Sequence, residues 1–325
     1  MKSLLWSCSR NTVLCMFSLL AMGAAVADDY PQKPLNFIVS SGAGGAVDSV
    51  ARIIGEKLTA KFKQPVVVQA KPGATGSIAA RAVLAAPADG YTALFSSAFF
   101  HAALHVMKEP GYKPEDFVGV SKVASPAIVL VVNSNSDHKT LTDLLDFARK
   151  PGNSVNYGAV GVGSGPHLSG EALRIDSKAA LRQVSYKSEP HLVTDILGNN
   201  LDAGILSFTA VQPMIESGRL RPLSIVGNQR HKLLPGVPTF AELGFPRVNR
   251  NGWFGILLPA GTPKARVDTL SAAVQEIVAE PQMKARLEDL GYQPVGDSTE
   301  TFTAFLRRDA ADYGQILREA GIRLE

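Results

Sequence analysis

The chain has 325 residues, 33 of them lysine or arginine and 29 aspartate or glutamate, with a formal net charge of +4 and 46% hydrophobic residues. That length suits two domains with a sizeable core, and so small a basic excess argues against a nucleic-acid binder. Cys8 and Cys15 both fall at the N-terminal end, so disulfide and thiol chemistry are excluded from everything that follows them.

Residues 1–27 read as an export signal. Lys2 and Arg10 form a positive n-region, Thr12 to Met22 an apolar core, and Ala25-Val26-Ala27 a small-x-small cleavage site. Cleavage is expected after Ala27. A lipoprotein signal at Cys15 fits less well, because Leu14 precedes it where a small residue belongs. Without Lys2 and Arg10 the basic residues fall from 33 to 31, against 29 acidic ones. No later run approaches the roughly 20 apolar residues that span a bilayer. The expected product is a periplasmic protein with no membrane span of its own.

From Leu35 the pattern alternates strand and helix. An apolar run, Leu35 to Val39, leads into Ser40-Ser41-Gly42-Ala43-Gly44-Gly45. A helix follows, because Val47, Ala51, Ile54, Leu58 and Phe62 form one apolar stripe. Val66 to Val68 is a strand, Lys71 to Gly76 a loop, about 77–86 a helix, and Tyr91 to Phe95 a third strand ending at Ser96-Ser97. Extended chain is expected over Phe117 to Val123 and Ala127 to Val132, with a crossing into a second domain near Ser125. Thr140-Leu141-Thr142-Asp143 caps a helix to Arg149. Ser154 to Tyr157 is a strand, Gly158 to Gly165 a second glycine loop, and Pro166 opens a helix. Strands at Leu181–Tyr186, Leu201–Leu206 and Leu223–Val226 alternate with helices at about 189–197 and 209–217. Val248 to Leu258 reads as a long returning strand, with Trp253 as core or hinge packing. Helices from Pro263, from Pro281 and over about 299–319 complete the chain.

Short apolar strands alternating with helices predict an α/β fold with mainly parallel sheets. Ligands of such sheets sit outside the carboxyl ends of the strands, where both glycine loops and Ser96-Ser97 lie. At each loop a helix N-terminus gathers free N–H groups and the positive end of the helix dipole. Gly44 and Gly45 let the main chain approach a ligand. This is a small-anion site that needs no lysine or arginine. The first loop is neither a dinucleotide fingerprint nor a P-loop, since Val47 replaces the third glycine and no G-K-[ST] follows. The second loop adds the Ser164 hydroxyl and His167, and Tyr186-Lys187 follows a strand and is read either as reaching the cleft or as a surface lysine beside a half-buried tyrosine. Asp48 is read either as a ligand contact or as the group that orients the first loop, and Arg52 as solvated or paired with Glu56. An esterase elbow fails because Val162 stands where G-x-S-x-G needs glycine. His167 and Glu171 lack a third metal ligand.

Several long motifs in order carry a resemblance. They are Gly44-Gly45-x-x-Asp48 with Ala51-Arg52, then Pro87-x-Asp89-Gly90-Tyr91-Thr92. Asn156-Tyr157 through Gly161-x-Gly163-Ser164-x-x-His167-Leu168-x-Gly170-Glu171 follows. Tyr186-Lys187, Leu234-Pro235-Gly236-Val237-Pro238-Thr239, Trp253-Phe254-Gly255 and Pro259-Ala260-Gly261-Thr262-Pro263 complete the set. From Tyr30 onward the chain resembles the solute-binding proteins of tripartite tricarboxylate transporters, the Bug-type receptors. The resemblance implies a two-domain Venus-flytrap fold that closes on a small carboxylate and delivers it to inner-membrane permease subunits. It carries ligand contacts onto Ser41, Gly44, Gly45, Asp48, Gly163, Ser164 and His167. Ser96, Ser97 and Tyr186 join them from their places at strand ends. The expected domains are 28–125 plus about 252–325, and 126–251, around one cleft, in a monomer without cofactor, metal or catalytic residues.

Two departures from the family pattern bear on the ligand. Ser40-Ser41-Gly42-Ala43 replaces Pro-Phe-Ala-Pro, and His101-Ala102-Ala103-Leu104 replaces Asn-Pro-Ala-Leu. The first loosens the wall and adds hydroxyls, so a more polar or bulkier carboxylate is expected, an aromatic one if Phe99 or Phe100 faces the cleft. The alternatives are a sensory protein that presents its ligand state to a sensor kinase, and a periplasmic hydrolase.

Overall fold

The computed structural model describes residues 29–322 apart from 228 and 249–251, so the export signal lies outside the described residues. The chain runs β1 (Leu35–Val39), α1 (Ala46–Phe62), β2 (Val66–Ala70), α2 (Ser77–Leu84), β3 (Thr92–Ser97) and α3 (Phe99–Val106). It continues with β4 (Phe117–Pro126), β5 (Ile128–Asn133), α4 (Leu141–Arg149), β6 (Val155–Val160), α5 (Gly165–Ser177), β7 (Leu181–Tyr186) and α6 (Glu189–Leu197). Then come β8 (Ala203–Ser207), α7 (Phe208–Glu216), β9 (Leu220–Val226), β10 (Phe254–Pro259), α8 (Lys264–Ala279), α9 (Pro281–Asp289), β11 (Tyr292–Pro294) and α10 (Thr299–Ala320).

Two sheets result, ordered β11-β4-β10-β3-β1-β2 and β7-β6-β8-β5-β9. The α/β class holds, but the sheets are mixed rather than mainly parallel. In the first, β10 runs antiparallel to both β3 and β4, and β11 antiparallel to β4. In the second, β5 runs antiparallel to β8 and β9. The cause is the double crossing. A strand that enters from the other lobe at the loop end of the sheet must run against its neighbours. The strand expected at 248–258 is shorter. A 3-10 turn spans Pro246–Val248, and β10 starts only at Phe254. Sequence periodicity also missed α3, whose Phe-Phe-His-Ala-Ala stretch carries no cap signal, and the three-residue β11.

Local signals explain most element starts. Thr140 accepts from Asp143 N–H at 3.1 Å and Asp143 accepts back from Thr140 N–H at 2.9 Å, a complete capping box on α4. Ser164 caps α5, with Pro166 in its first turn.

Strand alternation divides the first lobe's core. On one face, Ile38, Leu94 and Leu257 pack with Trp253, with Ala79, Ala80 and Val83 of α2, with Phe100 of α3, and with Phe302 and Leu306 of α10. Phe100 stacks on Tyr112 at 4.9 Å between ring centroids and meets Phe117 edge-on, so it is core and not a cleft wall. The second lobe buries Tyr157, Leu168, Ala172 and Ile205 on one face of its sheet and Val129, Leu192, Ile196 and Phe208 on the other. Helix α10 belongs to both lobes. Phe302 and Leu306 lie in the first core, whereas Tyr313, Ile316 and Leu317 lie in the second.

The register fixes which ends face the crossing. Because β10 opposes both β3 and β4, those two strands finish at the same end, and from there Pro126-Ala127 passes directly into β5. The start of β5 pairs with the end of β8, which runs parallel to β6. The ends of β1 and β3 and the ends of β6 and β7 therefore all open toward the crossing.

Candidate functional site

The first loop follows β1. Gly44 takes φ +78°, which favours glycine. Its N–H donates to Asp48 Oδ2 at 2.9 Å, and Gly45 N–H donates to the Gly42 carbonyl at 3.1 Å. Both amides expected to meet a ligand are thus committed within the loop. The N–H groups of Ala46, Val47 and Asp48 lie one step on, ahead of the first helical bond from Ser49 N–H to the Gly45 carbonyl at 2.9 Å, and are the orphan donors of the helix start. Asp48 is 1% exposed and also accepts from Arg52 Nε at 2.9 Å and Nη2 at 3.1 Å. The Arg52 guanidinium, helped by Gly44 N–H, holds the Asp48 carboxyl below the usual carboxylate range although burial opposes it. Of its two readings, Asp48 therefore takes the orienting one. Arg52 pairs with Asp48 rather than with Glu56, which meets Arg286 at 3.3 Å.

Hydroxyls line the strand ends beside this loop. Ser96 Oγ donates to Ser40 Oγ at 3.0 Å, leaving the Ser40 hydrogen to point elsewhere. Ser40, a departure from the family pattern that the sequence does not mark as a ligand contact, directly follows β1. Ser41 is half-buried, and its hydroxyl donates to the neighbouring Gly42 carbonyl at 3.4 Å. Ser97 lies on the opposite side of β3 from Ser96, is 6% exposed, and its Oγ has no protein partner. The turn after β2 brings Gly76 against Ser40, where an added Cβ would lie 3.2 Å from Ser40 Cβ. Ala74 and Thr75 in that turn hold φ of 47° and 52°.

The second loop is braced in the same way. Gly163, at φ +77°, donates its N–H to His167 Nδ1 at 2.9 Å. His167 N–H donates to Ser164 Oγ at 3.3 Å, and Ser164 N–H to the Gly161 carbonyl at 3.2 Å. Because His167 Nδ1 accepts, the ring is neutral with its proton on Nε2. Burial lowers its pKa, and Glu171 partly offsets this. His167 thus holds Gly163 in place instead of presenting Nδ1 to a ligand. The Ser164 hydroxyl hydrogen and the N–H of Gly165 are among the donors not spent within the loop. His167 and Glu171 share no site, since Glu171 accepts from Tyr157 Oη at 2.8 Å and from Arg174 Nε at 2.7 Å. Tyr186 ends β7 beside the loop, but its hydroxyl donates to Asp195 Oδ2 at 2.7 Å. Burial, and then Asp195, push that hydroxyl up to about 12.

One contact ties the lobes together at this point. The Tyr313 hydroxyl of α10 donates to the Gly163 carbonyl, and the Tyr313 ring stacks on His105 of α3 at 5.4 Å and 15°. A separate groove of 1280 Å³ lies toward β11 and α9, lined by Lys122, Arg230, Glu288, Tyr292 and Asp297 among others. It includes neither glycine loop. Two ion pairs lie within it, Lys122 with Asp297 at 3.5 Å and Lys232 with Glu288 at 3.2 Å, whereas Arg230 turns out of it to Glu242 at 3.0 Å.

The site is therefore two helix N-termini, each with an available hydroxyl and a buried side chain that props the loop, at sheet ends that face the same crossing. Such an arrangement can receive a small anion by hydrogen bonds alone. A family profile described as tripartite tricarboxylate transporter family receptor matches residues 50–322. Protein BugT of Bordetella pertussis is 33% identical over 302 residues, covering 92% of this chain and 93% of that protein. R. palustris Rpa4515, solved with adipate, is 29% identical with a TM-score of 0.72, covering 90% of this chain and 99% of that one. A TctC solute-binding protein from Polaromonas, at 24% identity, shares the fold with a TM-score of 0.80, covering 89% of this chain and 99% of that one. The chain belongs to the receptor family of the tripartite tricarboxylate transporters, the Bug-type solute-binding proteins.

Proposed function

We propose that this chain is an exported receptor that captures a small carboxylate between its two glycine loops and hands it to an inner-membrane permease. The observation that carries this reading is the pair of propped helix N-termini, neither of which brings a lysine or arginine to the ligand side. Arg52, one turn into α1, is turned back onto Asp48. One lobe comprises about 28–125 and 252–325 and the other 126–251, with α10 as a strap across both. Closure is a hinge motion about the strands that cross between them. A carboxylate oxygen would take N–H bonds from the first turn of α1 and from Gly165, with the Ser40, Ser41 and Ser164 hydroxyls beside them. The receptor acts as a monomer and releases its ligand unchanged. Asp48, His167 and Glu171 are each spent on holding protein groups, so none of them stands as a free base at the two loops. The adipate in the Rpa4515 structure supports the same ligand class.

Mass spectrometry of the small molecules released on denaturing the purified protein tests this reading. A carboxylic acid near one per chain is expected, and deleting the gene should abolish uptake of that acid. Release of a neutral sugar or a cation would overturn it.

A further inference from the structure

We propose that His101 and Trp253 form a hydroxyl-reading subsite in the first lobe, so that the receptor prefers hydroxylated carboxylates to their deoxy counterparts. The proposal rests on the carboxylate-receptor reading above.

Buried polar side chains are nearly always hydrogen-bonded. His101 Nε2 and Trp253 Nε1 have no protein partner, and both residues are 0% exposed. Their rings meet at 5.9 Å between centroids and 61° between planes. Ser77, also 0% exposed with an unpartnered Oγ, opens α2 on the same face of the sheet.

The chemistry of the pair is specific. His101 Nδ1 lies 2.7 Å from Asp309 Oδ2. In the neutral ring Asp309 takes the Nδ1 hydrogen, so Nε2 is an acceptor. The indole N–H of Trp253 can only donate. The group that suits both must give a hydrogen to Nε2 and offer a lone pair to the indole. A carboxylate oxygen has no hydrogen to give, and an ammonium has no lone pair. A hydroxyl has both, on water in the free protein and on the ligand in the complex.

The position is right for a ligand held by the first loop. Phe254 pairs with Ser97 and Gly255 with Ser96, so Trp253 sits just past the end of β3 on the Ser96 side. Ser96 bonds Ser40 in the first loop. His101 lies four residues beyond Ser97, in the first turns of α3.

The test is calorimetry on the mature chain, refolded from denaturant to strip bound ligand. Matched acids are compared: succinate with malate, glutarate with 2-hydroxyglutarate, and butyrate with 3-hydroxybutyrate. The hydroxylated member of a binding pair should bind at least tenfold tighter. His101→Phe and Trp253→Phe should bring that ratio within threefold of one, and His101→Gln, which keeps a polar tip, should restore part of it. Asp309→Asn should also reduce it, because the ring is then free to place its proton on Nε2. If His101→Phe fails to fold, the Trp253→Phe and Asp309→Asn ratios decide. A wild-type ratio near one in every pair that binds, or an unchanged ratio in the folded variants, overturns the subsite and leaves the carboxylate receptor standing. Failure of every acid to bind overturns both.

Discussion

His167 should act as a prop rather than a ligand contact, and the difference is measurable. Its Nδ1 accepts the Gly163 N–H at 2.9 Å in a site where the imidazole is only 5% exposed. His167→Leu removes the acceptor and leaves that buried N–H without a partner, a loss of about 1–3 kcal/mol. His167→Asn can place its amide oxygen near the former Nδ1 position and should recover most of the loss. Stability from urea unfolding and carboxylate affinity from calorimetry should fall together in the leucine variant, with affinity down about 5- to 140-fold at about 1.4 kcal/mol per decade. The pH dependence has a definite sign. Burial lowers the His167 pKa below its ordinary 6.5, so the unfolded chain binds more protons than the folded one just below that pH. The contribution is therefore complete above about pH 6.5 and is lost as pH falls toward the lowered folded value. His105 and His231 are also shifted down by burial, so His167→Asn should make the acid-side loss shallower without abolishing it. A leucine variant with wild-type stability and affinity would refute the reasoning, as would an asparagine variant no better than leucine.

Asp48→Asn places an amide NH₂ toward Arg52 while keeping an acceptor for Gly44. We expect a loss of about 1–2 kcal/mol by urea unfolding, at the low end because the Arg52 side chain is 54% exposed. Since the Asp48 pKa is lowered, its contribution is present above the ordinary value of 3.8 and lost as pH falls below it, so the variant should lose less stability in acid. Gly291→Ala would set a Cβ 2.1 Å from Thr209 Cγ2, at φ +75°, and should cost about 2–3 kcal/mol. Adding Thr209→Ser removes the clashing methyl and should restore part of that in thermal melts, and a double variant no better than Gly291→Ala would contradict the contact. Tyr313→Phe deletes the donor to the Gly163 carbonyl and should weaken carboxylate binding by about 1 kcal/mol, read by calorimetry.

Much of the fold is legible in the sequence because it rests on local signals. The stripe of α1, the capping box of α4 and Pro166 at the start of α5 each act within a few residues, and the elements appear where those signals place them. What escaped reading depends on distant partners. Sheet direction follows from where the chain crosses between lobes. Helix α3 is held by packing against the 74–76 turn and α10 rather than by caps of its own. The site shows the same division. Both loops were identifiable from glycine and serine placed before helices. That Gly44 and Gly163 spend their N–H groups internally was not, because it depends on where the Asp48 and His167 side chains turn. Tyr186 reads as a cleft residue from its strand end, yet Asp195, nine positions away, claims its hydroxyl. The polar pair of His101 and Trp253 carries no motif, since the two residues lie 152 positions apart and meet only through β10 beside β3.

The measurement that bears most directly on the account is a calorimetric titration of the ligand-stripped mature protein with small mono- and dicarboxylic acids, each beside its uncharged amide. Loops that hold an anion by N–H and hydroxyl donors predict saturable binding of at least one acid near one per chain, with at least a hundredfold weaker binding of the matching amide. An amide bound as tightly as its acid, or a protein indifferent to every carboxylate offered, would contradict the two-loop carboxylate site.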